Sequence, residues 1–293
     1  MNAITLSALA LLAISAVATP IVNSHSHKAF AIKNKPFITI VGAGHKSSIV
    51  QFNMSSHASG NSVTPTTFQV NADDFNAFGM TFMNTNTEVF LGAAGARLAG
   101  PSPALFTSGQ RTGVYNSWIL GWQDTLLANA GQAFYENNWI EGAVDCIWGI
   151  QSAAFFRNCT LNTLRSGGYV VAEGTAAQPD AANLPLDQLL NSKAPEGATN
   201  WFLGRPWGTG ATAFYVDTFI PDSVDPAYRH TMTAGAIPVY PTINCTGPGA
   251  NSDSIDTSLS VVVSSEQAEE FLTLGAWLPD TSSWIQDANR FTN

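Results

Sequence analysis

Trp118-Ile119-Leu120-Gly121-Trp122-Gln123-Asp124 is followed, twenty-one residues on, by Trp139-Ile140-Glu141-Gly142-Ala143-Val144-Asp145. Tryptophan, isoleucine, glycine and aspartate return at the same places. Leu161 extends the series of Ile119 and Ile140, and Asn116, Asn137 and Asn158 form another series on the same period. A fixed period of twenty to thirty residues marks a solenoid, in which each unit stacks on the last. If each unit is one coil of a parallel β-helix, equivalent residues lie about 4.8 Å apart. The spacing therefore predicts a ladder of asparagine amides and two carboxylates, Asp124 and Asp145, side by side. Like charges that close do not both ionise easily. One stays protonated as an acid while the other serves as a base or nucleophile.

The surrounding segments agree with an all-β chain. Strand-like runs are short, rich in β-branched and aromatic residues, and bounded by Gly, Asn, Asp and Pro. They cover Pro36 to Gly42, Ser48 to Phe52, Thr66 to Val70, Met80 to Met83, Gly113 to Leu120, Gln132 to Ile140, Ala153 to Leu161, Gly168 to Ala172, Ala211 to Thr218 and Leu259 to Val263. A β-sandwich also has many short strands, but it does not repeat residue types at a fixed period. Trp118 and Trp139 are expected to stack in the core. One helix is expected over Glu266 to Leu274, with Ser264 as N-cap and Gln267 as its partner. The polar stretch Ala176 to Thr199 is expected to be a loop off one coil. Nothing in the composition marks a second domain.

Composition limits the function. The chain has 293 residues, 45% of them apolar and only 11% charged, with a net charge of −9. Twelve Lys and Arg in all leave no basic patch to release counterions, which argues against nucleic-acid binding. The same deficit disfavours tight retention on a polyanion and suits a neutral or partly esterified substrate. Leu6 to Val17 is an apolar run and Ala16-Val17-Ala18, at its end, offers a cleavage site, so residues 1–18 are expected to be a secretory signal, although Met1 to Thr5 carries no Lys or Arg. No later segment is long enough to span a membrane, and the expected product is extracellular. Sequons at Asn53, Asn158 and Asn244 fit secretion and a glycoprotein. Three cysteines, Cys146, Cys159 and Cys245, leave at least one thiol unpaired or bridging chains, and their spacing matches no zinc site.

Three ordered segments resemble the central signatures of pectinesterases (pectin methylesterases): Gly121-Trp-Gln123-Asp124-Thr-Leu126, Tyr135 to Gly149 with Gly142-Ala-Val-Asp145-Cys-Ile-Trp-Gly149, and Phe202-Leu-Gly-Arg205-Pro206-Trp207. Asn244 to Ala250 and Trp277 to Trp284 resemble that family's tail. The resemblance implies a right-handed parallel β-helix of the pectin lyase-like type over residues 19–293, acting as a monomer on methyl-esterified homogalacturonan without metal or organic cofactor. It implies Asp145 as nucleophile, Asp124 as general acid and then base, Arg205 as the hydrogen-bond partner of Asp145, and Gln123 as an oxyanion donor. Trp207 is implied as a sugar-contacting aromatic, with Trp122, Phe134 and Trp148 as further groove candidates.

The chain also departs from that family. The family carries another glutamine one coil before Gln123, and twenty-two residues back stands Pro101, which has no N–H to donate. Removing one oxyanion donor costs about 10²–10³ in rate. Ser102 is an alternative donor. A second expectation therefore stands beside the esterase: a weakened, pectinesterase-like glycan-binding protein. A thioesterase on the same scaffold fits the aromatic residues less well. Cys146 and Trp148 stand where the family has phenylalanines, and the region of Tyr228 lacks a tryptophan-rich segment. The N-terminal coils are expected to be fewer than in that family: either His25 to Ile32 caps the exposed end, or the chain is a shortened form.

Overall fold

The computed structural model describes residues 11–12, 30–86, 100–174, 187–189, 192–193, 198–227, 229–236, 238–250 and 273–291. Their strands form three sheets of nine, six and seven strands, and every strand pair is parallel. Each coil visits the sheets in turn. One coil runs through Thr112–Tyr115 in the nine-stranded sheet, Trp118–Leu120 in the six-stranded sheet and Leu126–Ala128 in the seven-stranded sheet. This is the expected parallel β-helix.

The twenty-one-residue register is physical. Trp118 pairs with Trp139, Ile119 with Ile140, and Ile140 with Leu161. Ile119 and Ile140 are fully buried inside the coil. The tryptophans beside them alternate outward, as a strand's period of two requires. They lie half-buried, 6.4 Å apart, with His45 stacked on Trp118 at 4.2 Å. The tryptophans therefore stack on the outer face of the sheet, not in its core.

Asparagine corners explain where sequence and structure diverge. Gly113 to Leu120, Gln132 to Ile140 and Ala153 to Leu161 each read as one strand. Each run meets two strands, divided at Asn116, Asn137 and Asn158. These residues have φ of 49°, 56° and 53°, the left-handed region that asparagine tolerates. A single such residue turns the chain into the next sheet without interrupting the apolar pattern. The amides do form the ladder: Asn137 Nδ2 donates to Asn116 Oδ1 at 3.1 Å, and Asn158 Nδ2 to Asn137 Oδ1 at 2.6 Å. Asn137→Ala breaks both rungs and puts a methyl side chain at positive φ. It should lower stability by about 2–3 kcal/mol, read as a lower urea midpoint with an unchanged m-value.

Two other expectations change. The polar stretch Ala176 to Thr199 contributes strands Asp187–Leu189 and Ser192–Lys193 to two of the sheets, so it supplies part of a coil and is not only a loop. Strands of two or three residues carry too little periodicity to be read. Of His25 to Ile32, expected as a cap, residues 25–29 lie outside the described residues, and the rest belongs to an edge strand, Phe30–Lys33, paired with Phe68–Asn71. All three cysteines are free thiols, each with its S–H directed at a backbone carbonyl. The strand expected at Leu259 to Val263 lies outside the described residues. So does the helix expected at Glu266 to Leu274, up to Leu272, and a four-residue helix follows at Leu274–Trp277. The leader over residues 1–18 lies outside them too, except for Leu11–Leu12, which pairs with Thr39 and Ile40. Tyr228 is likewise not described. Among the described residues no helix is long and apolar enough to cross a membrane.

The C-terminal segment folds back along the nine-stranded sheet. Trp277 packs edge-on to Phe214 at 5.1 Å, and Phe291 on Phe78 at 4.8 Å. Gln286 donates its backbone N–H to Tyr115 Oη, and Asn116 Nδ2 donates to the Ala288 carbonyl. Trp284 and Leu278 complete this second apolar cluster.

Candidate active site

Asp124 and Asp145 sit at equivalent corners, between the six-stranded and seven-stranded sheets. Gly121 and Gly142 open each corner. A Cβ on either would come within 2.7 or 2.6 Å of Thr125 Oγ1, which fills the space between the coils and donates to the Glu141 carbonyl. Gln123 then bridges Val144 in parallel, and the Asp124 N–H donates to the Val144 carbonyl at 2.9 Å. Both aspartates have positive φ, 62° and 52°. Asparagine and aspartate are favoured there for their local turn chemistry, so the fold admits a short acid at both corners and stacks one above the other.

The two acids have different surroundings. Arg205 Nε and Nη2 donate to Asp145 Oδ1 and Oδ2 at 2.8 and 2.7 Å, a bidentate pair that is mostly shielded from water. Such a fork gives each carboxylate oxygen its own charge-assisted hydrogen bond. Asp124 is only 7% exposed, and its Oδ1 is buried with no hydrogen-bond partner. Burial is the main cause that pushes the Asp124 carboxyl well above the usual carboxylate range. The charge of Asp145 adds to the shift, and Arg205 and Gln123 only partly offset it. One carboxylate is paired and the other is held toward its protonated form.

Arg205 arrives from the strand Phe202–Gly204 and is fixed at both backbone ends. Its N–H donates to the Val171 carbonyl, and its own carbonyl accepts from Tyr240 Oη at 3.2 Å. Pro206 keeps it extended. Trp207 follows, its N–H tied to the Glu173 carbonyl, with 37% of the residue exposed. Gly174 leaves room for it, since a Cβ there would stand 2.3 Å from the indole. Trp122 and Gln123 are half-buried at the same corner.

Two groove candidates are placed elsewhere. Phe134 is fully buried on the nine-stranded sheet, between Tyr115 and Phe155 and beneath Arg157, in the cluster that the C-terminal segment covers. Its side chain alternates to the face away from the acids and does not line the site. Trp148 is 7% exposed and lies under the site: its Nε1–H donates to the Asp124 carbonyl at 3.0 Å while its ring tilts against Trp207. It supports the acid's corner from below. The residue contacting Gln123 from the preceding coil is Ser102, not Pro101. The strands there keep the twenty-one-residue offset, and the Ser102 N–H donates to the Gln123 carbonyl at 2.9 Å. Pro101 faces the other way, its carbonyl accepting from Ser56.

Tyr169 was not legible as a site residue. It stands two residues before Val171, as Asp145 stands two before Ile147, and these two partners pair. Its ring therefore occupies the next place in the column of acids, directly beneath the Arg205 guanidinium at 4.2 Å. The step from Asp145 to Tyr169 is twenty-four residues, which breaks the period that would have revealed it.

A pectinesterase family model matches residues 25–278. The chain belongs to the pectinesterase family. Among curated pectinesterases it is 34% identical over 188 residues to the probable pectinesterase A of Aspergillus flavus, covering 63% of this chain and 55% of that protein. It is 31% identical to pectinesterase A of Emericella nidulans, covering 79% of this chain and 67% of that one. The chain thus spans little more than half the length of the Aspergillus flavus pectinesterase. The pectin methylesterase of Aspergillus niger has the same fold, with a TM-score of 0.77 at 24% identity over 89% of this chain and 84% of that one. The carrot pectin methylesterase is alike, at 0.76 and 23%, over 89% and 83%.

Proposed function

We propose that this pectinesterase-family chain is an aspartyl esterase that removes methyl esters from homogalacturonan. The observation that carries this reading is the asymmetric pair: Asp145 held by two hydrogen bonds from Arg205, and Asp124 buried one coil away with its Oδ1 unpartnered. In the proposed reaction an Asp145 oxygen attacks the ester carbonyl carbon. The Gln123 amide donates to the oxyanion as the tetrahedral species forms. Collapse breaks the bond to methoxide, which takes the Asp124 proton and leaves as methanol, giving an anhydride on Asp145. Asp124, now ionised, takes a proton from water. The resulting hydroxide attacks the substrate-derived carbonyl, frees galacturonate and returns Asp145 as a carboxylate. Trp207 offers an exposed aromatic face for a sugar ring, with Trp122 beside it. A pectin methylesterase of this fold has been solved in complex with a hexasaccharide, which supports a polysaccharide chain as the ligand. The deciding measurement is methanol release from methylated pectin by the wild type and by Asp145→Ala: release by the first and none by the second is expected, and equal release by both would overturn the assignment.

The leader over residues 1–18, an extracellular location and glycosylation belong to the same proposal. Asn53, Asn158 and Asn244 are all exposed, as glycan acceptors must be. N-terminal sequencing of the mature protein should begin at residue 19.

One observation favours the weaker-enzyme reading. The Ser102 hydroxyl donates to the Gly100 carbonyl at 2.9 Å and its N–H to Gln123. Neither of its donors is left for an oxyanion. Ser102→Gln should then raise kcat, by up to about 10²-fold if a full donor is restored. No change would show that Gln123 suffices.

A further inference from the structure

We infer that Tyr169 is a positioning residue that holds Arg205 on the nucleophile across an intervening coil. This rests on the esterase reading of Asp145. Asp145 and Arg205 are not on neighbouring coils. The strand that follows Asp145 pairs with Tyr169–Glu173, and that strand pairs with Phe202–Gly204, after which Arg205 begins. The guanidinium must therefore reach back over one whole coil, about 4.8 Å, before it meets a carboxylate. Tyr169 occupies the coil it crosses, and Arg205 Cζ lies 4.2 Å from the centre of that ring. A cation this close to an aromatic face is attracted by the ring's quadrupole, more strongly where water is excluded. Arginine suits this place because its planar group stacks and forks at once.

The ring is itself held. Phe202 stacks on it at 5.6 Å, and the edge of His230 meets Tyr169 at 5.4 Å and Phe202 at 5.2 Å. The His230 backbone N–H donates to the Gly204 carbonyl, and its Nδ1 lies 2.7 Å from the Thr231 carbonyl, so the imidazole is fixed in turn. The Cys146 N–H, next to the nucleophile, is directed at the Tyr169 carbonyl at 3.4 Å. Four coils thus converge on one geometric task, keeping two N–H groups of Arg205 aligned with both oxygens of Asp145.

The test separates the face of the ring from its bulk. Tyr169→Phe should retain kcat within about twofold, because the face remains. Fluorinated phenylalanines at 169 keep the shape but weaken the quadrupole. Across mono-, di- and trifluoro rings kcat should fall stepwise, by about 5- to 30-fold in total, with KM unchanged. A flat series would overturn the inference, as would a series in which KM alone moves. Hydrogen exchange of the Arg205 Nε–H, measured on the same proteins without substrate, should quicken in the same order; unchanged exchange would also overturn it. If the wild type releases no methanol, the esterase reading falls while the exchange series still decides the role of Tyr169.

Discussion

Asp145→Asn should lose methanol release by about 10⁴-fold or more, the scale on which removal of a covalent nucleophile acts. The substitution isolates chemistry from folding. Asparagine accepts the positive φ of this corner as readily as aspartate does, so the turn survives. The amide has one acceptor oxygen in place of two, and Arg205 donates to both. One guanidinium N–H then faces an NH₂ group, which should cost about 1–3 kcal/mol of stability. The expected protein is folded, modestly destabilised and inactive. Circular dichroism with a methanol assay checks both halves. Activity within tenfold of the wild type would place the nucleophile elsewhere.

Asp124→Asn should reduce turnover by about 10²–10⁴-fold, because the amide neither protonates methoxide nor activates water. Stability should move the other way. Burial and the neighbouring charge raise the Asp124 carboxyl above its ordinary range in the folded chain. A group raised in this way supports the fold fully below its unfolded pKa. That support is lost as pH rises through the folded value. Asparagine stays neutral throughout. The variant should therefore match the wild type in melting temperature near pH 3.5 and exceed it increasingly as pH rises toward neutrality. Equal melting temperatures at pH 7 would mean that Asp124 is ionised there without cost. The same shift sets the alkaline limb of the wild-type rate, which should fall as the Asp124 proton is lost before the first step.

The repeat was legible because interior and corner positions obey a strict geometric period. Ile119, Ile140 and Leu161 must fill the same slot on successive coils, and the asparagines must turn the same corner. The acids were legible for the same reason. The residues misread are those whose role depends on which way a side chain faces. Phe134 and Trp148 look like groove aromatics in a string of letters, yet one lies beneath the C-terminal segment and the other beneath Asp124. The Ser102 placement turned on a single residue of register, which hydrogen bonds fix and a count does not. Tyr169 escaped notice because the coil length changes from twenty-one to twenty-four residues just before it.

The C-terminal segment has a consequence for how this molecule comes apart. A solenoid whose units touch only their neighbours unravels from its ends, one unit at a time. Here Gln286 and Ala288 bond to residues 171 and 172 positions earlier, and Phe291 reaches Phe78. With Trp277 on Phe214, these contacts span the coils that carry Asp124, Asp145 and Arg205, so fraying of any one of them strains the same fastening. The chain should lose structure and activity in a single cooperative melt. It should also refold slowly, because its longest-range contacts close the largest loops.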